Sequence, residues 1–198
     1  MDKPKYAGIV HIIACGVFKP ALDYLNLEAR FPNLRITYLS SNLHLHPQIL
    51  LEQLRSEFES SPKSEKIICL YGNCAAGIDD LCEEYGVVRV SGEFCHDILL
   101  GPSRFRQCID ETAGTYFIEQ EVLQNFEVHC TGPLDLNDEL MRKYCFEHYQ
   151  RLMYIRQPAD PDLLAKAKEI AEFLELGLEI REVDYSYLER KLIELIQD

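Results

Sequence analysis

Lys66-Ile67-Ile68-Cys69-Leu70-Tyr71-Gly72-Asn73-Cys74-Ala75-Ala76-Gly77, continued by Ile78-Asp79-Asp80-Leu81-Cys82-Glu83-Glu84-Tyr85-Gly86, is the stretch from which the fold class is read. Residues 66–71 form a short apolar run stopped by small residues, the pattern of a buried strand. Residues 72–77 make the turn, Ile78–Tyr85 reads as a helix, and Gly86 ends it. Val87–Val90 then starts the next strand.

The same rhythm extends upstream. Gly8–Ala14 (GIVHIIA) is a second buried strand, closed by Cys15-Gly16. A helix follows over Pro20–Asn26, and Leu34–Leu39 is another strand. Pro47–Glu59 carries Ile49, Leu50, Gln53, Leu54 and Phe58 at helical spacing, and Pro62-Lys63-Ser64 closes it. Strands alternating with helices over short connections predict a Rossmann-like α/β fold: an open parallel sheet with helices on both faces.

Downstream of residue 100 the pattern changes to a helix-rich C-terminal half. Gly114–Ile118 reads as a strand. Asn137 is the expected N-cap of a long helix that takes in Leu140, Tyr144, Cys145, His148 and Leu152. Asp160-Pro161 opens a helix containing Leu164, Ile170, Ala171 and Leu174, ended by Gly177. Leu178–Val183 alternates like a strand, and Leu188, Leu192 and Leu195 mark a last amphipathic helix. The expected organisation is one α/β domain over residues 1–198, with a smaller lobe at about 115–198 as the variant.

At 198 residues a single core buries about 70% of the unfolded chain's surface, so neither disulfides nor a structural metal are needed for folding. The 20 Lys and Arg against 33 Asp and Glu leave a net charge of −13, which disfavours nucleic acid and anionic membrane surfaces as partners. No run of apolar residues is long enough to span a bilayer. The mixed charges of the N-terminus, and His11 within its apolar run, do not read as a secretion signal, so a cytoplasmic location is expected.

The chain holds eight cysteines, which in a reducing compartment are thiols. No pair is spaced C-x-x-C, which argues against a zinc ribbon, a thioredoxin-type dithiol and a ferredoxin cluster. Walker A, G-x-S-x-G, H-E-x-x-H and EF-hand patterns are also missing from the sequence.

Ligands of open parallel sheets bind beyond the carboxyl ends of the strands. Cys15 follows the first strand, His44 the second, Cys74 the third, and Cys95-His96-Asp97 the fourth. Thiolates with imidazoles are the usual first shell of zinc, so Cys15, Cys74 and His96, with His44 as a fourth, are the expected metal ligands. Cys74 also sits in the turn that leads into the N-terminus of the Ile78–Tyr85 helix, whose dipole favours a thiolate. Gly72 and Asn73 in the small-residue turn, Asp97 and Arg104 are the candidate substrate-binding residues. Cys69, Cys82, Cys108, Cys130 and Cys145 read as inert core thiols.

In order, Ala14-Cys15-Gly16-Val17, Leu43-His44 with Pro47, Tyr71-Gly72-Asn73-Cys74 with Gly77, His96-Asp97, Gly101 with Ser103-Arg104, and Gly114-Thr115-Tyr116-Phe117 resemble an uncharacterised family of anaerobic bacteria and methanogens. The resemblance runs from about Ala14 to Leu195. Genes of that family often lie beside those of corrinoid-dependent methylamine methyltransferases, which implies corrinoid methyltransferase components or a small molecule as partners. The family tends to read His-Asp-Cys, whereas here Ile98 follows Asp97 and a cysteine precedes His96. Either Cys95 replaces that third thiol or the site has one ligand fewer.

Three functions are compatible with these residues. The leading one is a zinc protein with an open coordination position that activates a thiol or water or, through the corrinoid neighbourhood the resemblance implies, assists methyl transfer. The second is a non-catalytic module that holds a corrinoid, a pterin or a partner methyltransferase. The third is a thiol redox protein pairing Cys74 with Cys15 or Cys95.

Overall fold

Strand β1 (Val10–Cys15) is buried along its whole length, His11 included. A histidine fits there because both ring nitrogens are bonded: Nδ1 lies 3.1 Å from Ser61 Oγ and Nε2 2.8 Å from Thr37 Oγ1. Burial, then Arg35, pulls its pKa down to about 4, so the ring is neutral at pH 7. This strand is one of two inner members of a sheet in the computed structural model, which describes residues 8–198.

Helices α1 (Lys19–Leu25) and α2 (Leu27–Arg30) lead to β2 (Leu34–Leu39), and α3 (Pro47–Ser60) leads to β3 (Lys66–Leu70). Helix α4 (Ile78–Tyr85) connects β3 to β4 (Val88–Arg89). All pairings are parallel and the strand order is β2-β1-β3-β4. The chain runs outward from β1 to β2, then crosses back to β3. The carboxyl ends of β1 and β3 therefore flank the point where the strand order reverses.

Local chemistry accounts for these boundaries. Leu50, Leu54 and Phe58 form the buried stripe of α3. At the end of α4, Gly86 takes φ 65° and donates to Glu83 C=O at 3.1 Å, while Val87 N–H reaches Cys82 C=O at 2.8 Å. This is a Schellman stop, and only glycine adopts that φ without strain.

After α5 (Cys95–Leu100) the chain builds a second sheet. Its elements are α6 (Pro102–Glu111), β5 (Thr115–Ile118), α7 (Gln120–Gln124), α8 (Glu139–Phe146), β6 (Arg151–Arg156), α9 (Leu164–Phe173) and β7 (Gly177–Glu182). The strands are parallel, in the order β5-β6-β7. One of its apolar clusters joins Ile118, Leu123, Phe126, Leu152, Tyr154 and Ile170; another joins Leu100, Ile155 and Val183. The last helix, α10 (Ser186–Gln197), buries Leu188, Leu192 and Ile196.

The described chain divides into two compact units. The first joins the residues up to Leu99 with Tyr185–Asp198, and the second is Leu100–Asp184. The α/β class with parallel strands flanked by helices is that expected from the sequence, but the strands form two sheets where one was expected. The long helix expected from Asn137 through Leu152 is corrected: Asp138 is the N-cap, α8 stops at Phe146, and Leu152 lies in the central strand β6. Leu152–Ile155 are buried on both faces, and such a run carries no period to separate strand from helix. The reading of the chain start as free of a secretion signal rests partly on Met1–Ala7, outside the described residues. No helix among the described residues is long and apolar enough to cross a membrane.

Candidate thiol and imidazole site

Cys15, the last residue of β1, is buried. Cys74 follows β3 across a tight turn in which its N–H reaches Gly72 C=O at 2.9 Å. Cys95 opens α5. The turn and α5 meet because Gly72 has no side chain: a Cβ there would stand 2.9 Å from the Phe94 backbone and from Cys95 N. Asn73 N–H bonds Glu93 C=O at 2.8 Å along the same approach. Arg89 braces it from β4, donating to Tyr71 C=O and Gly92 C=O, both at 3.0 Å, while its other nitrogens grip Asp79.

These constraints bring three thiols into contact. The Cys95 thiol is hydrogen-bonded to those of both Cys15 and Cys74. The bond to Cys95, then burial, pushes the Cys74 thiol far up. Cys95 is also raised, first by its bond to Cys15, with the bond to Cys74 acting the other way. Cys74 and Cys95 thus hold their protons at neutral pH. Tyr71 borders the group: its hydroxyl is buried with no hydrogen-bond partner, and burial followed by the nearby thiols, Cys15 first, raises its pKa.

The imidazoles lie within electrostatic range of each other. His44 sits in the 3-10 turn Ser41–Leu45, and its Nδ1 donates to Ser41 C=O at 2.6 Å. That bond fixes the tautomer and leaves the ring's lone pair on Nε2. Burial, then the proximity of His44, lowers the His96 pKa to about 4. His96 therefore stays neutral at pH 7 and retains a lone pair, as a ligand nitrogen must.

The remaining candidates have other surroundings. The Gly72 position is required by the close backbone approach. Asn73 is exposed. Asp97 is buried and caps α5, its Oδ2 accepting the Glu93 N–H at 3.1 Å while Oδ1 has no hydrogen-bond partner. Arg104 is exposed on α6, in the second unit, whereas the other candidates belong to the first. Tyr71 was not singled out from the sequence, where it reads as a strand end. Neither was the hydrogen bond between the free thiols of Cys69 on β3 and Cys82 on α4, which lowers the Cys82 pKa and leaves Cys69 well raised.

Among the described residues no group of three or more His, Cys, Asp or Glu is arranged to hold a metal ion. The thiols face one another as hydrogen-bond partners.

The family described as "Protein of unknown function (DUF1638)" matches residues 38–192, so the chain belongs to that family. No curated protein and no solved structure matches it.

Proposed function

We propose that this member of the DUF1638 family is a thiolate metal protein whose Cys15, Cys74 and Cys95 bind zinc, with His96 and His44 as the nitrogen donors beside them. The observation that carries this reading is the Cys95 thiol, bonded to two other thiols drawn from separate strand ends. As thiols, the three share protons. A soft cation that displaces those protons gains sulfur ligands from the same three atoms.

Tyr71 supports the same reading. A buried hydroxyl without a partner costs about 1–3 kcal/mol. Neutral thiols are weak acceptors, but thiolates accept strongly, so exchange of protons for a metal gives this hydroxyl a partner. The donor set of three sulfurs and neutral imidazoles is suited to zinc, although the thiols must part from one another to receive it.

Bound there, zinc would lower the pKa of a coordinated thiol or water and make it nucleophilic near pH 7. The protein's own residues have supporting tasks: Gly72 and Arg89 hold the Cys74 turn against α5, and Asp97 anchors the start of that helix. A zinc-activated thiol accepts alkyl groups, which is the chemistry that connects this site to corrinoid methyltransferase components as partners.

The test is metal content by mass spectrometry of protein purified without oxygen, beside Cys95→Ser, Cys74→Ser and Cys69→Ser. About one zinc per chain, lost in the first two variants and kept in the third, is expected. Absence of metal from the unaltered protein, or its retention in Cys95→Ser, overturns the assignment. The contact of Cys95 with two thiols also favours a redox reading. A reversible Cys74–Cys95 or Cys15–Cys95 disulfide in metal-free protein, found by peptide mapping, would select it.

A further inference from the structure

The second unit carries an unassigned polar cluster at the carboxyl ends of β5 and β6. Glu119 directly follows β5 and is 1% exposed; its oxygens accept the N–H groups of Glu121 at 2.7 Å and Val122 at 3.1 Å. Gln157 directly follows β6 and is 3% exposed, and neither end of its carboxamide has a hydrogen-bond partner. Asp160 closes a turn on Gln157: its Oδ2 accepts the Gln157 N–H at 2.9 Å and the Tyr154 hydroxyl at 2.6 Å, while its buried Oδ1 accepts nothing. Gln120 Oε1 is also buried without a partner.

An unpartnered buried polar group is uncommon, and each costs about 1–3 kcal/mol. Here three oxygens in that condition, from Gln120, Gln157 and Asp160, belong to the same strand ends. Burial raises both acids, and each is raised further by other carboxylates: Glu119 by Glu121 and Asp160, Asp160 by Glu182. The unpartnered atoms are acceptors, save for the Gln157 amide nitrogen. Oxygen donors with two carboxylates match a hard divalent cation in both charge and softness.

We propose that Glu119, Asp160 and the carboxamide oxygens of Gln157 and Gln120 bind one hard divalent cation of the magnesium, manganese or calcium class. The site uses two carboxylates rather than three, with the carboxamides completing the protein's share and water the rest. It is independent of the thiol site, whose sulfur donors select soft ions.

The experiment is manganese titration followed by electron paramagnetic resonance on the unaltered protein, Gln157→Leu, Asp160→Asn and Cys95→Ser. One bound manganese per chain, displaced by excess magnesium or calcium, is expected for the unaltered protein and for Cys95→Ser. Gln157→Leu should weaken binding about tenfold, and Asp160→Asn should abolish it. Should Asp160→Asn fail to fold, Gln157→Leu decides alone, since an apolar side chain suits that buried position. Absence of bound manganese at millimolar concentration, or unchanged affinity in Gln157→Leu, overturns the proposal and leaves buried water as the partner of these atoms.

Discussion

The two sheets make an instructive contrast. Both are parallel, and both gather their buried polar groups where strands end. In the first, the order β2-β1-β3-β4 reverses direction at β1 and β3, and the strand ends present sulfur and imidazole. In the second, β5, β6 and β7 follow chain order without reversal, and the ends present carboxyl and carboxamide oxygen. The architecture provides a place at the strand ends, while side-chain softness decides which ligand suits it. The topological switch alone would have identified only the first place.

The largest effect that would separate the two regions comes from Gly72→Ala. Its Cβ meets the Phe94–Cys95 backbone at 2.9 Å, so one element must give way. A loss of about 3 kcal/mol in the first unit is expected from overpacking of this kind. Hydrogen exchange should show the loss in β1 and β3 but not in β5 and β6. Equal deprotection of both sheets would mean that the units do not respond separately.

Acidity should sharpen the contrast by acting on the two units with opposite sign. His11 and His96 are pulled down to about 4 from 6.5, so the unfolded chain takes up protons first. Their contribution is whole above about pH 6.5 and is lost as pH falls toward 4; for fully buried His11 it is about 3 kcal/mol. Glu119 is raised to about 7 from 4.5, mainly by burial, with Glu121 and Asp160 adding to the rise and two backbone N–H groups opposing it. Its contribution is whole below about 4.5 and lost as pH rises through 7. Denaturant titrations at pH 4.5, 6 and 8, read by exchange in each sheet, check both signs.

A smaller effect is expected of Tyr71→Phe. Metal-free protein should gain about 1 kcal/mol, because the variant removes an unpartnered hydroxyl. Zinc-loaded protein should lose a similar amount, along with the thiolate's donor. A change of the same sign in both forms, measured by urea unfolding with and without zinc, would contradict the role given to that hydroxyl.

The first unit was the more legible in the sequence. Its strands end in abrupt small-residue turns, Gly86 stops α4, and thiols or imidazoles occupy every turn. Cys95 entered as the alternative third thiol, and it is the one that contacts the other two. Tyr71 was hidden, since an aromatic residue ending an apolar strand looks like core. In the second unit, β6 carries no alternation because both of its faces are buried. Asp160-Pro161 resembles a helix start, yet Asp160 gives one carboxylate oxygen to Tyr154 and Gln157 while α9 begins at Leu164. Such ties join residues by turn geometry, and no spacing rule announces them.

The return of α10 to the first unit has a consequence for synthesis. Leu188, Leu192 and Ile196 are buried parts of that unit, yet they leave the ribosome after all of Leu100–Asp184 has emerged. The second sheet can thus close while the first still lacks its last helix, with Cys15, Cys74 and Cys95 already synthesised. During that interval the unit that holds the three thiols is still incomplete. Under the zinc assignment proposed above, metal uptake and thiol oxidation would compete then, which makes the order of emergence a determinant of how much protein matures with these thiols reduced.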